Sequence, residues 1–457
     1  MMADTIAALS TAPAKSGIAV IRISGDKALD LTNRVFIPKG KSRWIPRMMK
    51  NGTLLNRDGD PIDSILAVWF KGPNSYTGED IVELHCHGSL AVINAALSAL
   101  YYYGARAAEP GEFTKRAFLN DRLDLGQAEA VGDLIEAVTE EAAVNANAQL
   151  QGALSKKLEE IYDMLTDLLA HFQAVVDYPE EDIETFSVET AHSVMEDAAF
   201  RLKKLTKGYE TGKVLKEGID CVIIGRPNVG KSSLFNTMLG KQRAIVTPVA
   251  GTTRDVVEAY AKVGTVTLKL RDTAGIRETE DPIEDIGVEK ARDAVKQAAL
   301  AIVVIDGSQP LTDEDRTVLD FAKDKKALLI INKSDMEQDP TINEELQQWT
   351  GNFKGIVEIS AKTGSGIDQL EHVINELYSM GDIKPDGTFI TNARQEGACR
   401  TAELILRGAI NSINGGFPPD MILYDVEQAM ERIGEILGRN TPMDIIDRIF
   451  ENFCVGK

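Results

Sequence analysis

Eight residues constrain this chain more than any other stretch: Gly225-Arg226-Pro227-Asn228-Val229-Gly230-Lys231-Ser232 fits G-x-x-x-x-G-K-S. The apolar run Cys221 to Ile224 precedes it and the helix-compatible Ser233-Leu234-Phe235-Asn236 follows it. A strand that ends in a Gly-rich turn and opens a helix predicts an α/β domain with a largely parallel sheet. In such a turn the amides from Asn228 through Val229, Gly230, Lys231, Ser232 and Ser233 curl round phosphates at the helix N-terminus. Lys231 then neutralises the β and γ phosphates, and Ser232 offers its hydroxyl to Mg²⁺.

Three further motifs follow in order, each at a predicted strand end. Asp272-Thr273-Ala274-Gly275 places a carboxylate on the magnesium side and a glycine amide near the γ-phosphate. Asn332-Lys333-Ser334-Asp335 ends in an aspartate that accepts from N1–H and the exocyclic amine of guanine, donors that adenine lacks, so the nucleotide should be GTP. Ser360-Ala361-Lys362 completes the set. Together the four motifs resemble the Ras-like GTPase superfamily. Ile276 stands where Ras-type enzymes place the glutamine that orients water, so another group in the carboxylate-rich stretch 277–285 must do that work. Thr253, in Gly251-Thr252-Thr253-Arg254-Asp255, is the natural second hydroxyl on Mg²⁺. Asn228 could hold a monovalent cation beside the phosphates and so replace an arginine finger.

The 457 residues predict about three domains. A hydrophobic share of 44% with 26% charged residues describes a globular chain that is neither disordered nor collagen-like. No apolar run approaches the roughly 20 residues of a membrane span, and Met-Met-Ala-Asp-Thr at the start shows no export signal, so a cytoplasmic location and no membrane partner are expected. Cys86, Cys221, Cys399 and Cys454 are widely spaced, which predicts free thiols. The net charge of −20 opposes non-specific nucleic-acid binding and requires any RNA contact to use a local basic patch or a partner.

Residues 1–120 alternate short strands and turns and read as a small α/β domain. Leu154, Leu158, Ile161, Leu165, Leu168, Phe172 and Val175 recur at spacings of three and four, the core face of a helix that Pro179 ends. Residues 121–216 and 379–457 are thus two helical stretches of one bundle, with an α/β domain at 217–378 inserted between them. The fold class is α/β plus all-α. Within the first domain, Arg22 is the only charge in the strand Gly17 to Ser24, and a buried guanidinium needs an anionic partner, either a ligand or an ion pair of the fold. Glu83, His85 and His87 share one strand face, opposite Val82, Leu84 and Cys86. Cys454 and Lys457 lie where a chain end would fray, so packing alone hardly explains a Cys-Val-Gly-Lys tail.

The whole sequence resembles the MnmE (TrmE) tRNA modification GTPase family. The likeness is carried by Asp4-Thr5-Ile6, the stretch Gly17 to Gly25, Pro73-Asn74-Ser75-Tyr76-Thr77-Gly78-Glu79-Asp80, Pro110-Gly111-Glu112-Phe113 and Arg116-Ala117-Phe118-Leu119-Asn120. The Gly251 to Asp255 switch and the tail Phe453-Cys454-Val455-Gly456-Lys457 complete it. The resemblance implies a homodimer formed through a folate-binding N-terminal domain that takes 5-formyl-tetrahydrofolate or a related tetrahydrofolate. It further implies a flavin-dependent MnmG-type partner protein in a heterotetramer, and an aminomethyl-type group installed on C5 of the wobble uridine of certain tRNAs. Residue by residue, it places Asn228 and the carbonyls of Thr247, Val249 and Thr252 on K⁺. Ser232 and Thr253 fall on Mg²⁺, Pro248, Ala250 and Gly251 in the same nucleotide-facing switch, and Glu284 on the catalytic water. Arg22, Glu83, Arg122 and Lys457 fall on the folate, and Cys454 toward it. Two other classes compete: a ribosome-assembly GTPase acting as an RNA-binding switch, which would favour a KH-type GxxG loop in a basic appendage, and a folate-dependent aminomethyltransferase with an incidental GTPase.

Overall fold

The structure is a computed structural model that describes residues 4–40, 43–177, 188–241, 258–263, 266–271, 292–378, 386–417, 419–439 and 441–457. The chain divides into two compact units. One comprises residues 1–136, 146–206 and 394–457, and the other residues 137–145 and 207–393.

The first unit holds, among its described residues, a seven-stranded sheet. Its strands are β1 (Ile6–Leu9), β2 (Ser16–Ser24), β3 (Phe36–Pro38), β4 (Lys50–Leu55), β5 (Pro61–Phe70), β6 (Ile81–Gly88) and β7 (Arg106–Ala107), in the order β3-β4-β5-β6-β2-β1-β7. All neighbours are antiparallel except β1 and β7. Alternation sets its two faces. Ala19, Ile21 and Ile23 on β2 and Val82, Leu84 and Cys86 on β6 point into a core shared with the helices Ala28–Val35 and Leu90–Tyr102. Arg22, Glu83, His85 and His87 therefore fall on the other face, as the alternation requires.

The long helix Ala153–Asp177 carries the expected stripe, with Leu154, Leu158, Ile161, Leu165 and Leu168 all buried. It packs against the helix Pro419–Leu437, so both helical stretches contribute to one unit. Pro179, proposed to end the first of these helices, lies outside the described residues.

Four of the sequence stretches that carry the family likeness meet at one buried side chain. Arg116, 2% exposed, donates to Asp4 Oδ1 (2.8 Å), Glu79 Oε2 (3.0 Å) and Glu112 Oε1 (2.9 Å). Glu79 in turn accepts from Ser24 Oγ (2.8 Å), whose oxygen lies 2.7 Å from Thr77 Oγ1. Burial disfavours the Arg116 charge, but the surrounding carboxylates, Glu112 first, outweigh it and raise the guanidinium above its ordinary range. The network fixes the loop Pro73 to Asp80 and the helix Glu112–Leu119 against the end of β2.

The second unit holds a six-stranded sheet among its described residues, formed by β8 (Ile219–Ile224), β9 (Glu258–Val263), β10 (Val266–Arg271), β11 (Leu300–Asp306), β12 (Ala327–Asn332) and β13 (Gly355–Glu358). The order is β13-β12-β11-β8-β10-β9, and only the β9–β10 pair is antiparallel. Every residue of β11 and β12 is buried. Such unbroken apolar runs are what a parallel sheet covered on both faces demands. Separate apolar clusters on the two faces, one around Leu268, Ile302 and Ile330 and the other around Val303, Leu329 and Trp349, supply that cover. Residues 137–145 belong to this unit although they sit in a helical stretch of the sequence. Glu141 pairs with Lys262 of β9 (2.7 Å) and Asn145 Nδ2 donates to the carbonyl of Phe389 (3.5 Å).

Candidate functional site

The turn after β8 has the backbone that its sequence requires. Gly225, Asn228 and Gly230 have φ of 155°, 65° and 101°. A Cβ on Gly225 would sit 2.3 Å from the Val304 carbonyl oxygen, and one on Gly230 2.2 Å from Asn332 Nδ2. Only glycine permits that approach. The helix Lys231–Lys241 begins at once, so the amides of its first turn face the turn it leaves. Lys231 Nζ caps the carbonyls of Gly225 and Arg226, both at 2.7 Å. Burial, and then the charge of Arg226, hold its ammonium below the usual lysine range, a strain that a phosphate would relieve. Asn228, Ser232 and Ser233 are exposed around it, free to meet a ligand, while Val229 is buried beneath.

The guanine side is assembled from the ends of β12 and β13. Asn332 bridges the motifs: its Nδ2 donates to the Val229 carbonyl (2.7 Å), and its Oδ1 accepts from the Ala361 amide (2.9 Å). Ser334 N donates to Ile359 O (3.0 Å). Asp335 Oδ1 accepts from Ser360 Oγ (2.6 Å), and that bond holds its carboxyl below the ordinary range. It leaves Oδ2 for a base edge. Lys333, at φ 67°, pairs with Asp306 (2.6 Å). Burial pushes the Asp306 carboxyl up, but Lys333 and Ser308 more than offset it, so the carboxyl sits below its usual value. Lys362 is exposed on the same loop.

Thr247, Pro248, Val249, Ala250, Gly251, Thr252, Thr253, Asp272, Thr273, Ala274, Gly275 and Glu284 lie outside the described residues. Sequence reading missed Arg226, whose guanidinium bonds Asp315 (3.0 Å) and Gln309 (3.0 Å). Asp315 also closes a capping box with Thr312 on the helix Asp313–Ala322. The visible signal was Thr312-Asp313-Glu314-Asp315, an N-cap with an acid three residues on.

In the first unit, Arg22 and Glu83 are cross-strand partners and meet as an ion pair, with Nε and Nη2 donating to Glu83 Oε1 at 3.1 and 2.8 Å. At 17% and 18% exposure the pair is still reachable from solvent. The Arg22 guanidinium lies 5.5 Å from the Tyr76 ring centre and 5.6 Å from that of Phe113. Tyr76 and Phe113 are the site residues that sequence reading passed over as mere motif members. Burial raises the Tyr76 hydroxyl, although Thr114 bonds it at 2.9 Å.

The tail has a packing rationale after all, contrary to the sequence expectation. Val455 forms an antiparallel bridge with Pro110, Cys454 O accepts from Gly111 N (3.4 Å) and Lys457 O from Phe113 N (3.1 Å). Gly456, at φ 95°, lies so close that a Cβ would fall 2.1 Å from Leu9 O. Non-local backbone pairing of this kind leaves no periodicity to read. Lys457 thus bonds the backbone of Phe113, whose ring lies 5.6 Å from the Arg22 guanidinium, and Cys454 is an exposed free thiol. Arg122 is exposed and lines an open cavity of about 410 Å³ with Asp121, Asp124 and Arg439. Among the described residues no hydrogen bond or ion pair joins it to Arg22, Glu83 or Lys457. Its side chain packs beside Gly78, on the loop that also carries Tyr76.

Comparison with known proteins matches both units. Residues 5–122 match the family model described as GTP-binding protein TrmE N-terminus, and residues 125–454 the one described as MnmE helical domain. A tRNA modification GTPase MnmE of Clostridioides difficile (strain 630) is 42% identical over 458 residues, covering 99% of each chain. Those of Acetivibrio thermocellus and Heliobacterium modesticaldum are 41% and 42% identical, with 99% and 100% of each chain covered. With both family models and identity along the entire length in agreement with the P-loop and its guanine-side partners, the chain belongs to the MnmE (TrmE) family of tRNA modification GTPases.

Proposed function

We propose that the chain is a potassium-dependent GTPase that works with a flavin-dependent MnmG-type protein on tRNA. In this reading the pair adds a carboxymethylaminomethyl-type group to C5 of uridine 34 with a one-carbon unit from tetrahydrofolate. The domains are residues 1–120 for folate and homodimerisation, 217–378 for GTP, and 121–216 with 379–457 for the helical part. The observation that carries the reading is that one chain has both a formed phosphate cradle with a guanine-side aspartate and, in a different unit, an accessible Arg22–Glu83 pair beside Phe113, the residue whose amide bonds the tail.

Among the described residues, Lys231, Ser232 and Asp335 have the chemistry that the groups of a bound GTP would require. Lys231, already poised between two carbonyls, transfers its donors to phosphate, and Asp335 Oδ2 accepts from guanine. Ser232 and Thr253 would hold Mg²⁺, and Asn228 with the carbonyls of Thr247, Val249 and Thr252 would hold K⁺. Bound there, the cations neutralise the charge that develops on the phosphates during transfer. Glu284 orients or polarises the attacking water, because Ile276 cannot. In this reading Arg22, Arg122 and Lys457 supply cationic or donor groups for the folate, Glu83 faces the pterin, and Cys454 points toward the pocket. A cytoplasmic location accords with a tRNA substrate.

Mass spectrometry of wobble nucleosides tests the whole reading: depleting the chain should remove the C5 group from uridine 34, and unaltered nucleosides would refute it. Potassium is tested separately. Turnover in KCl should exceed that in NaCl at equal ionic strength, and Asn228→Ala should abolish the difference. Equal rates in the two salts would remove the cation from the account.

A further inference from the structure

Of the polar atoms in the first unit, His85 Nε2 stands out. It is buried and, among the described residues, has no hydrogen-bond partner. His85 follows Glu83 by two residues on β6 and so shares its face of the sheet, between Val20 of β2 and Leu66 of β5. Its Nε2 lies 3.4 Å from Glu83 Oε2, without bonding it, while Arg22 occupies Oε1 of the same carboxylate. The negative charge of a carboxylate 3.4 Å away favours the tautomer that carries the ring proton on Nε2, and that N–H is not directed at Oε2. That leaves a donor, Nε2–H, and an acceptor, Glu83 Oε2, side by side and both without a hydrogen bond among the described residues.

An unsatisfied buried donor is unfavourable unless something comes to meet it. A neighbouring donor and acceptor are complementary to an amide edge, in which one N–H lies next to one C=O. The 4-oxo pyrimidine edge of a pterin has that pattern, N3–H beside O4. We infer that His85 is a specificity-determining residue that donates to the 4-oxo group of the pterin while Glu83 Oε2 accepts from the adjacent N3–H. The inference rests on the proposed folate pocket and adds to it the orientation of the ring. A 4-amino pterin reverses both positions, putting a donor against His85 and a lone pair against Glu83.

Calorimetry with 5-formyl-tetrahydrofolate and its 4-amino-4-deoxy analogue is the test, on the full-length protein. The native chain should prefer the 4-oxo ligand by at least about tenfold, because a mismatched buried donor and acceptor must both go unpaired. His85→Leu should weaken the 4-oxo ligand and bring the ratio toward one. His85→Gln should restore much of it, since an amide N–H₂ beside Glu83 offers a donor to each neighbour. Circular dichroism and a thermal-unfolding midpoint matching the native chain's verify that the variants are folded. An equal affinity of the native chain for the two ligands, or a ratio that survives His85→Leu, overturns the assignment of His85 and leaves the pocket standing. Failure of the native chain to bind either ligand overturns pocket and assignment together.

Discussion

Asp335→Asn should lose GTP and gain xanthosine triphosphate. Guanine presents N1–H and an exocyclic amine, and the carboxylate accepts both. An amide turns one of its two positions into a donor, which suits the 2-oxo group of xanthine. Asp335 is held for this task from one side only: Ser360 Oγ takes Oδ1 at 2.6 Å, and Ser360 is itself bonded by the Thr363 amide at 3.2 Å. The substituted side chain therefore keeps its position and changes only its chemistry. A site built to bond a substrate's donors rejects an analogue that lacks them by up to about 10⁴-fold, and that is the upper scale for the switch. Competition binding with GTP, ATP and xanthosine triphosphate measures it. Tight ATP binding by the native chain, or no change in preference in the variant, would show that the base is read elsewhere.

Glu284→Ala should bind GTP normally and hydrolyse it at least about 10²-fold more slowly, the usual scale for a positioned acid or base. The argument is one of elimination in the chemistry together with the family resemblance: Ile276 has no group to hold water, and the water must be held. Single-turnover hydrolysis beside nucleotide affinity separates the two effects. Near-native turnover would transfer the role to another carboxylate of the stretch 277–285.

What was legible in the sequence was local. The phosphate turn needs glycines where φ is positive or backbone approaches closely, and Gly225 and Gly230 reveal it without any knowledge of Val304 or Asn332, the groups they make room for. The strand end at Asn332 could be read because a buried parallel strand is an unbroken apolar run that stops where polar chemistry begins. The face of β6 that carries Glu83 and His85 followed from alternation alone. What remained hidden depends on pairing between distant segments. That Arg22 would meet Glu83 is a matter of register between β2 and β6. That Asp4 and Glu79 would join Glu112 around Arg116 requires two distant segments to close on the one helix that carries both Glu112 and Arg116. The docking of Val455 on Pro110 joins the end of the sequence to a segment far upstream, and neither segment shows it. Residues 137–145 read as an ordinary part of a helical stretch, yet Glu141 and Asn145 bond groups near residues 262 and 389.

The central claim is that one chain couples a GTP site to a separate site of tRNA modification. It is tested most directly by the wobble-nucleoside measurement in depleted cells that carry the chain without residues 454–457, paired with GTP hydrolysis by the same purified variant. The tail belongs to the first unit and the phosphate turn to the second. Loss of the C5 group on uridine 34 with hydrolysis retained is the expected result. Full modification without the tail would contradict it.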